Sequence, residues 1–413
     1  MKIQDVRKSL DRALKQVRIT DIHTHLYAPC FGDLLLRGID ELLTYHYLVA
    51  ETFRHVAMPF KDFFAMPRKD QADLVWKTLF VDRSPLSEAT RGVLTTLDRL
   101  GLDVGRRDLR SYRKFFAAQS PRKHVDLVFE TAGIEDCVMT NDPFDDRERA
   151  VWSGGFRDDP RFKAALRIDP LLVTWEKACP RLKEWGYDVG PEFSDRTVEE
   201  ARRFLREWAA RMKALYVAVS LTPDFAFPED SAAGRLIERV VLPVCGELGL
   251  PFALMIGVRR KVNPELGLAG DAVGRSRVEA VESLCARYPK NKFMVTMLSR
   301  ENQHELCVTA RKFRNLLPFG CWWFLNNPSI IGEMTRQRLE LLGPSVIPQH
   351  SDARVLDQVV YKWDHSKKVI GDVLADKYSD LLAAGWEPQA EEIERDVRGL
   401  FGGIFRDFLA RPL

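Results

Sequence analysis

Two histidines separated by one residue stand at the end of the first apolar run of the chain, in the segment Asp21-Ile22-His23-Thr24-His25. Alternate residues of a β-strand share a face, so His23 and His25 are expected to point the same way. Two imidazoles side by side suit the nitrogen ligation of a divalent metal such as zinc. The pair therefore predicts a metal site, although two unrelated histidines on a polar strand end would give the same pattern.

A second group of polar residues lies near the other end of the chain. The segment His350-Ser351-Asp352-Ala353-Arg354 directly follows an apolar stretch. In a closed barrel the last strand lies beside the first, so Asp352 would meet the two histidines there. We expect Asp352 to complete the metal site and to abstract a proton. The alternative is that Asp352 only caps the following helix, which is a common use of this residue type.

Short apolar runs rich in β-branched residues alternate with amphipathic stretches and must position these groups. The predicted strands are Ile19–His23, Ile134–Thr140, Ala164–Asp169, Leu215–Leu221, Phe252–Ile256, Phe293–Met297, Phe319–Trp323 and Val346–His350. Their nearly continuous apolar character is typical of a parallel sheet that is buried on both faces. The alternation predicts an α/β fold, specifically a (β/α)8 TIM-type barrel.

Two parts of the chain depart from this alternation. Residues 26–128 show helical patterns without strands, which predicts a helical cap inserted after the first strand. Residues 367–413 also have helical periodicity and are predicted to form C-terminal helices packed on the barrel. The barrel itself would then consist of residues 1–25 and 129–366.

Charge and cysteine content narrow the function classes. The chain has 413 residues, and 62 Lys and Arg against 59 Asp and Glu give a net charge of +3. This balance favours neither nucleic acid nor a membrane surface as a partner. No apolar run approaches the roughly 20 residues of a membrane span. The seven cysteines lack the spacing of a zinc site and are odd in number, which predicts reduced thiols. The N-terminal segment has no apolar core of a secretory signal, so we expect a cytoplasmic protein.

The segments DIHTHL, TYHY, GCWWFLNN and HSDAR, in this order, resemble the uronate isomerase (glucuronate isomerase) family of the amidohydrolase superfamily. The resemblance implies a distorted (β/α)8 barrel and a divalent metal, usually zinc, with manganese or iron as alternatives. It also implies aldose–ketose isomerisation of a hexuronate such as glucuronate or galacturonate. The expected partner is this small sugar acid, and assembly into a homo-oligomer is left open.

The resemblance also assigns roles to individual residues. His23 and His25 match the metal ligands of the family's first strand, and Asp352 matches its last-strand ligand and proposed base. His46 and Tyr47 match a His-Tyr pair of the cap, and either one is expected to act as the partner acid. The residues expected to bind substrate are Arg354, Arg167, Asp169, Arg260 and Trp323.

Structural alternatives exist for several of these residues. Arg167 could pair with Asp169 as an ordinary ion pair, and Trp323 could be a core packing residue. Arg260 lies in the basic run 259–261, which is typical of a solvent-facing loop. Packing is also the simpler explanation for at least one ring of the segment 45–47.

The chain departs from the family at other positions. Met255 stands where the family has a histidine on the fifth strand, and Ser220 lies where a Ser-Asp-His segment is expected. The loss of several polar pocket residues leaves a second hypothesis open: a hydrolase or decarboxylase that uses metal-activated water on a different small acidic substrate. A barrel that binds without catalysis is the third.

Overall fold

Parallel strands form the centre of the protein. The computed structural model describes residues 3–157 and 159–413, and its strands are β1 (Ile19–Thr24), β2 (Ile134–Asn141), β3 (Phe162–Arg167), β4 (Val217–Leu221), β5 (Phe252–Ile256), β6 (Val258–Arg259), β7 (Ala272–Val273), β8 (Phe293–Met297) and β9 (Leu316–Pro318). Among the described residues, seven strands pair in the order β1-β2-β3-β4-β5-β8-β9, while β6 and β7 form a separate antiparallel hairpin. The predicted α/β class with a parallel sheet is confirmed.

The two edges of this sheet are joined by the irregular segment 346–353. On one side the amide of Gly320 donates to the carbonyl of Ile347 at 2.8 Å. On the other side the amide of Asp352 donates to the carbonyl of His23 at 3.1 Å, and His25 donates to Ala353 at 2.8 Å. The sheet is therefore curled, and backbone hydrogen bonds through this segment complete the ring.

Two predicted strands are wrong. Val346–His350 makes a single bridge, between Ile347 and Phe319, because Pro348 has no amide proton to donate to a strand ladder. The predicted strand Phe319–Trp323 is also displaced, since the observed strand β9 ends at Pro318. Gly320 then turns the chain with a φ of 65°, which is the left-handed region that glycine adopts most easily.

Helices surround the sheet and fill the long connection between β1 and β2. The α-helices are α1 (Ile3–Gln16), α2 (Ile39–Leu43), α3 (His46–Thr52), α4 (Phe60–Ala65), α5 (Arg68–Trp76), α6 (Glu88–Arg99), α7 (Leu109–Ala117), α8 (Pro121–Ala132), α9 (Asp146–Gly154), α10 (Asp169–Val173), α11 (Trp175–Glu184), α12 (Asp195–Met212), α13 (Ala232–Leu236), α14 (Leu242–Leu248), α15 (Glu279–Arg287), α16 (Gln303–Ala310), α17 (Pro328–Leu342), α18 (Gln358–Ala383), α19 (Ala390–Arg398) and α20 (Ile404–Ala410). Shorter 3-10 or π turns occupy Pro29–Leu34, Lys77–Val81, Val104–Arg106, Ile237–Val241, Pro264–Gly270, Arg300–Asn302, Trp323–Leu325 and Gly399–Gly403.

Two helices run across the predicted domain boundaries. Helix α8 crosses residue 128 and ends at Ala132, and the next residue, Gly133, forms a left-handed C-cap with a φ of 73° directly before β2. Helix α18 begins at Gln358 and crosses residue 366 without interruption, because its sequence holds no glycine–proline break until Gly385. The division of the chain into domains stays a prediction.

Separate apolar clusters stabilise the helices between β1 and β2 and the sheet with its other helices. Helices α2 to α7 pack around buried side chains such as Leu43, Phe63 and Tyr112. A different cluster combines strand residues with Phe405 and Phe408 of α20. None of the described helices is both long and apolar enough to span a bilayer, and all seven cysteines are unpaired.

Candidate active site

The two histidines of the first strand meet Asp352. His23 lies in β1 and His25 just beyond its end, while Asp352 belongs to the segment that joins the sheet edges. Asp352 Oδ1 lies 3.7 Å from His23 Nε2 and 3.4 Å from His25 Nε2. One ligand atom from each residue lies within 4.8 Å of the other two. Residues at opposite ends of the sequence thus form one cluster.

This cluster has the properties of a cation site. His23 Nε2 and Asp352 Oδ1 are buried and have no hydrogen-bond partner, an arrangement that costs free energy unless a ligand satisfies them. Burial lowers the pKa of His23 to about 3 and that of His25 well below its usual value. Both imidazoles are therefore neutral and keep a lone pair, as metal ligation requires. Two neutral imidazoles and a carboxylate fit zinc or a similar divalent metal.

The backbone around Asp352 is held from several directions. Asp352 has a φ of 51°, a left-handed conformation that non-glycine residues adopt only when the surroundings enforce it. The amide of the preceding Ser351 donates to Asp21 Oδ1 at 3.0 Å, and the buried Lys362 Nζ donates to the carbonyl of Ser351 at 2.6 Å. Sequence reasoning missed the roles of Asp21 and Lys362. Only Asp21 had a local signal, since it stands in the His-x-His segment.

Helix α3, which lies in the connection between β1 and β2, brings His46 and Tyr47 to the same region as Trp323. The ring centre of His46 lies 4.6 Å from that of Tyr47 and 6.0 Å from that of Trp323. His46 Nε2, the Tyr47 hydroxyl and Trp323 Nε1 are all buried without a hydrogen-bond partner. Burial lowers the pKa of His46 to about 3 and raises that of Tyr47 well above its usual value. A neutral imidazole and a protonated phenol therefore stand beside an indole.

Arg167 and Asp169 form the ion pair that was considered as the structural alternative. Arg167 Nη2 donates to Asp169 Oδ2 at 2.5 Å, and the amide of Ser220 donates to Asp169 Oδ1 at 2.9 Å. Both carboxylate oxygens of Asp169 are therefore engaged within the protein. Arg167 Nε is buried and has no partner, so the guanidinium still offers a donor.

The positive charges of Arg354 and Arg260 both act on the cluster, since both lower the pKa of His25. The positive charge of Arg354 is, after burial, the largest influence that lowers the pKa of His25, and it acts likewise on His46. Arg354 also lines a cavity of about 350 Å³ together with His46 and Leu266. The guanidinium carbon of Arg260 lies 5.8 Å from the ring centre of Trp323, while its Nη1 bonds Asp271 at 2.7 Å.

Two further histidines show where sequence reasoning was incomplete. His350, which was not singled out, packs its ring 5.1 Å from that of His23, and both of its buried ring nitrogens lack a partner. Its place beside Asp352 in the sequence was the available signal. The other, His365, bonds Glu88 at 2.6 Å and Thr95 at 2.8 Å.

Comparisons with known proteins find close similarity among solved structures. Neither models of protein families nor curated proteins give a match. A uronate isomerase from Bacillus halodurans has 54% sequence identity and a TM-score of 0.98, with 100% of this chain and 97% of that chain covered.

More distant similarity concerns the fold alone. A uronate isomerase from Thermotoga maritima has 15% identity and a TM-score of 0.78, with 97% of both chains covered. A glucuronate isomerase from Caulobacter crescentus has 16% identity and a TM-score of 0.71, with 99% of this chain and 95% of that chain covered. On the strength of the full-length match at 54% identity, the chain belongs to the uronate isomerase family.

Proposed function

We propose that this protein interconverts the aldose and ketose forms of a hexuronate such as glucuronate or galacturonate. The observation that carries the proposal is the cluster of His23, His25 and Asp352 in a chain of the uronate isomerase family. Buried, unpartnered polar atoms of His46 and Tyr47 accompany it, and the charge of Asp352 acts on both residues. These groups supply a base, hydrogen-bond donors and a cation site in one place, which is what movement of a proton between C1 and C2 requires.

His23, His25 and Asp352 would hold a divalent cation. Zinc suits this donor set best, and manganese or iron are alternatives because histidine and carboxylate ligate all three. When bound, such a cation supplies Lewis-acid polarisation of a carbonyl or hydroxyl oxygen. Support comes from the distances of 3.4 and 3.7 Å from Asp352 Oδ1 to the two imidazole nitrogens.

The proton transfer is assigned to Asp352 and the His46-Tyr47 pair. Asp352 is assigned the role of base, because a carboxylate has lone pairs on both oxygens and ligation of a cation through Oδ1 leaves others to take the proton from the substrate carbon. Tyr47 keeps its proton because burial raises its pKa, and its hydroxyl therefore donates a hydrogen bond to the developing oxyanion. His46 remains neutral and acts as the partner in moving that proton.

The substrate carboxylate is assigned to arginines. A guanidinium can bind a planar carboxylate through two parallel hydrogen bonds. Arg354 and Arg167 are the candidates, since the positive charges of both lower the pKa values of His23 and His25. Asp169 would act by holding Arg167 in place, since both its oxygens are already engaged. Trp323 and Arg260 would contact the sugar ring and its hydroxyls.

The wider organisation is proposed on the same basis. Residues 26–128 would form a cap that delivers His46 and Tyr47, and residues 367–413 would support the opposite side of the barrel. The unpaired state of all seven cysteines fits a cytoplasmic location. Assembly into a homo-oligomer is a further proposal that light scattering would test.

The assay follows the sugar directly. Purified protein supplied with zinc or manganese is incubated with glucuronate and galacturonate, and ketose formation is measured by proton NMR. Glucose and galactose are the matched controls, because they lack the carboxylate that Arg354 and Arg167 would bind. We expect turnover of a hexuronate and none of the neutral sugars. Absence of ketose from every hexuronate tested with metal-supplied protein would refute the proposal.

A further inference from the structure

His23 and His25 of the proposed metal site each contact a side-chain hydroxyl group through the ring nitrogen Nδ1. The hydroxyl of Tyr216, the residue before β4, lies 3.2 Å from His23 Nδ1. The hydroxyl of Thr140 in β2 lies 3.0 Å from His25 Nδ1. Tyr216 and Thr140 are buried, and they come from regions more than a hundred residues away from the histidines in the chain.

The same two hydroxyls also bond the backbone directly before each histidine. Tyr216 donates to the carbonyl of Ile22 at 2.8 Å, and Thr140 donates to the carbonyl of Thr24 at 2.8 Å. A carbonyl oxygen can only accept, so each hydroxyl must use its single proton in this bond. Each hydroxyl is then left with lone pairs alone, and the facing imidazole nitrogen must be the donor.

We infer that Tyr216 and Thr140 are positioning residues that hold His23 and His25 in the tautomer protonated at Nδ1. In this tautomer both Nε2 atoms present a lone pair to the side where Asp352 Oδ1 lies. The opposite tautomer would direct N–H groups at Asp352, but separations of 3.7 and 3.4 Å are longer than a normal hydrogen bond. The arrangement thus prepares the histidines for a cation before it arrives.

This assignment rests on the metal site proposed above and adds residues that lie behind the ligands. Partners on the second ring nitrogen of a metal-ligating histidine orient the ring and set its tautomer, and their loss typically weakens metal affinity by about 10–100-fold. Because each hydroxyl here bonds both the ring and the preceding carbonyl, loss of one hydroxyl frees the ring and its backbone together.

The first test reads the tautomers without metal or substrate. Two-bond correlation spectra between carbon-bound protons and ring nitrogens distinguish Nδ1–H from Nε2–H imidazoles in histidine-labelled protein. Signals are assigned by their loss in His23→Asn and His25→Asn. We expect both residues as Nδ1–H in the metal-free wild type. A wild type with Nε2–H at both positions would overturn the inference.

The second test measures zinc affinity by competition with a chromophoric chelator. Thr140→Val and Tyr216→Phe should each weaken zinc binding by about 10-fold or more. Thr140→Ser retains the hydroxyl and should bind zinc nearly as the wild type does. Matched controls remove a buried hydroxyl–carbonyl bond elsewhere: Tyr112→Phe, whose hydroxyl bonds Asp103, and Thr52→Val, whose hydroxyl bonds Leu48. These controls should leave zinc affinity unchanged.

The outcomes separate this inference from the proposed function. If Thr140→Val binds zinc as tightly as Thr140→Ser and keeps its tautomer, the positioning role is wrong. The comparison of Thr140→Ser with Thr140→Val tests the positioning role even if Tyr216→Phe does not fold. If the wild type binds no zinc at all, the proposed metal site fails, while the tautomer spectra still decide on Tyr216 and Thr140.

Discussion

The carboxylate of Asp352 is directed by backbone hydrogen bonds rather than by its own rotamer alone. Its left-handed φ of 51° turns the side chain toward the two histidines. Asp21 and Lys362 hold the peptide groups of Ser351, directly before it, at 3.0 and 2.6 Å. A buried acid and a buried lysine thus stabilise a strained conformation at the residue that the proposed chemistry needs most.

Replacing this carboxylate should stop the reaction without unfolding the protein. Asp352→Asn is expected to lower kcat by at least about 100-fold, because a neutral amide cannot act as a base. Asparagine tolerates left-handed backbone, so the fold should persist. Ketose formation and circular dichroism measure the two effects, with the exposed Asp224→Asn as control. A folded Asp352→Asn variant with nearly normal turnover would contradict the role of Asp352.

The turn after β9 lies directly against His350, whose ring packs beside that of His23. Gly320 has a φ of 65°, and a Cβ atom at this position would lie 1.7 Å from His350 Nδ1. Position 320 therefore requires glycine for two reasons: the left-handed backbone conformation, and the lack of space for a Cβ atom beside His350. This turn also explains why the apolar run 316–323 is not one continuous strand.

We predict that Gly320→Ala lowers the unfolding free energy by far more than the cost of placing an alanine in left-handed backbone. Left-handed backbone costs an alanine about 1–2 kcal/mol, and forced displacement of a buried ring adds about 1–3 kcal/mol. Gly101→Ala is the matched control, since Gly101 has a φ of 78° and no atom near its Cβ position. Urea unfolding measures both free energies. If both variants lose the same unfolding free energy, the His350 ring moves away from the added methyl group without a cost in stability.

The strands were predictable wherever one apolar run folds as one element. β1 to β5 and β8 lie close to their predicted bounds, because buried parallel strands have a nearly continuous apolar sequence. The last two predicted strands failed because prolines and a left-handed glycine interrupt the ladder. Among site residues, the pairing of His23 and His25 with Asp352 followed from barrel closure. Tyr216 and Lys362 had no local signal, since their hydrogen-bond partners lie elsewhere in the chain.

At the scale of the whole molecule, a buried carboxylate connects three distant parts of the chain. Asp357 Oδ1 lies 2.6 Å from His124 Nε2 in α8, and Asp357 Oδ2 accepts from the amide of Gly38 at 2.7 Å. Gly38 directly precedes α2, and Asp357 directly precedes α18. These bonds tie the helices between β1 and β2 to the chain just after the segment 346–353.

Loss of this carboxylate should weaken the whole structure. Asp357→Asn places an amide donor against either the Gly38 amide or His124, and an unsatisfied buried group costs about 1–3 kcal/mol. Thermal unfolding should therefore begin at a lower temperature. Asp364→Asn, which breaks the half-exposed ion pair between Asp364 of α18 and Arg99 of α6, should cost about 1 kcal/mol or less. Similar losses for both variants would contradict a special role of Asp357.

The stability of the molecule should also depend on pH through Glu148. Burial, only partly offset by hydrogen bonds from Asn141 and Tyr27, raises the pKa of Glu148 from 4.5 to about 7. Between these values the unfolded chain releases a proton that the folded protein keeps, so the free energy of unfolding falls as the pH rises from about 4.5 to 7. The contribution is on the order of 3 kcal/mol.

Urea unfolding across this pH range would measure the effect. Glu148→Gln cannot titrate, so its unfolding free energy should decline less between pH 5 and pH 8 than that of the wild type. The exposed Glu184→Gln should retain the wild-type decline. An unchanged decline in Glu148→Gln would mean that this carboxyl titrates normally in the folded protein.

The closure of the ring by segment 346–353 has a consequence for biosynthesis. Asp21 and the Ser351 amide that it holds are 330 residues apart in the chain. During translation, the histidines of β1 leave the ribosome long before Asp352 has been polymerised. The nascent protein therefore holds β1 and its two histidines through most of its synthesis without the segment that closes the ring. Contacts of such high sequence separation form late, so the proposed metal site should be among the last parts of the structure to form.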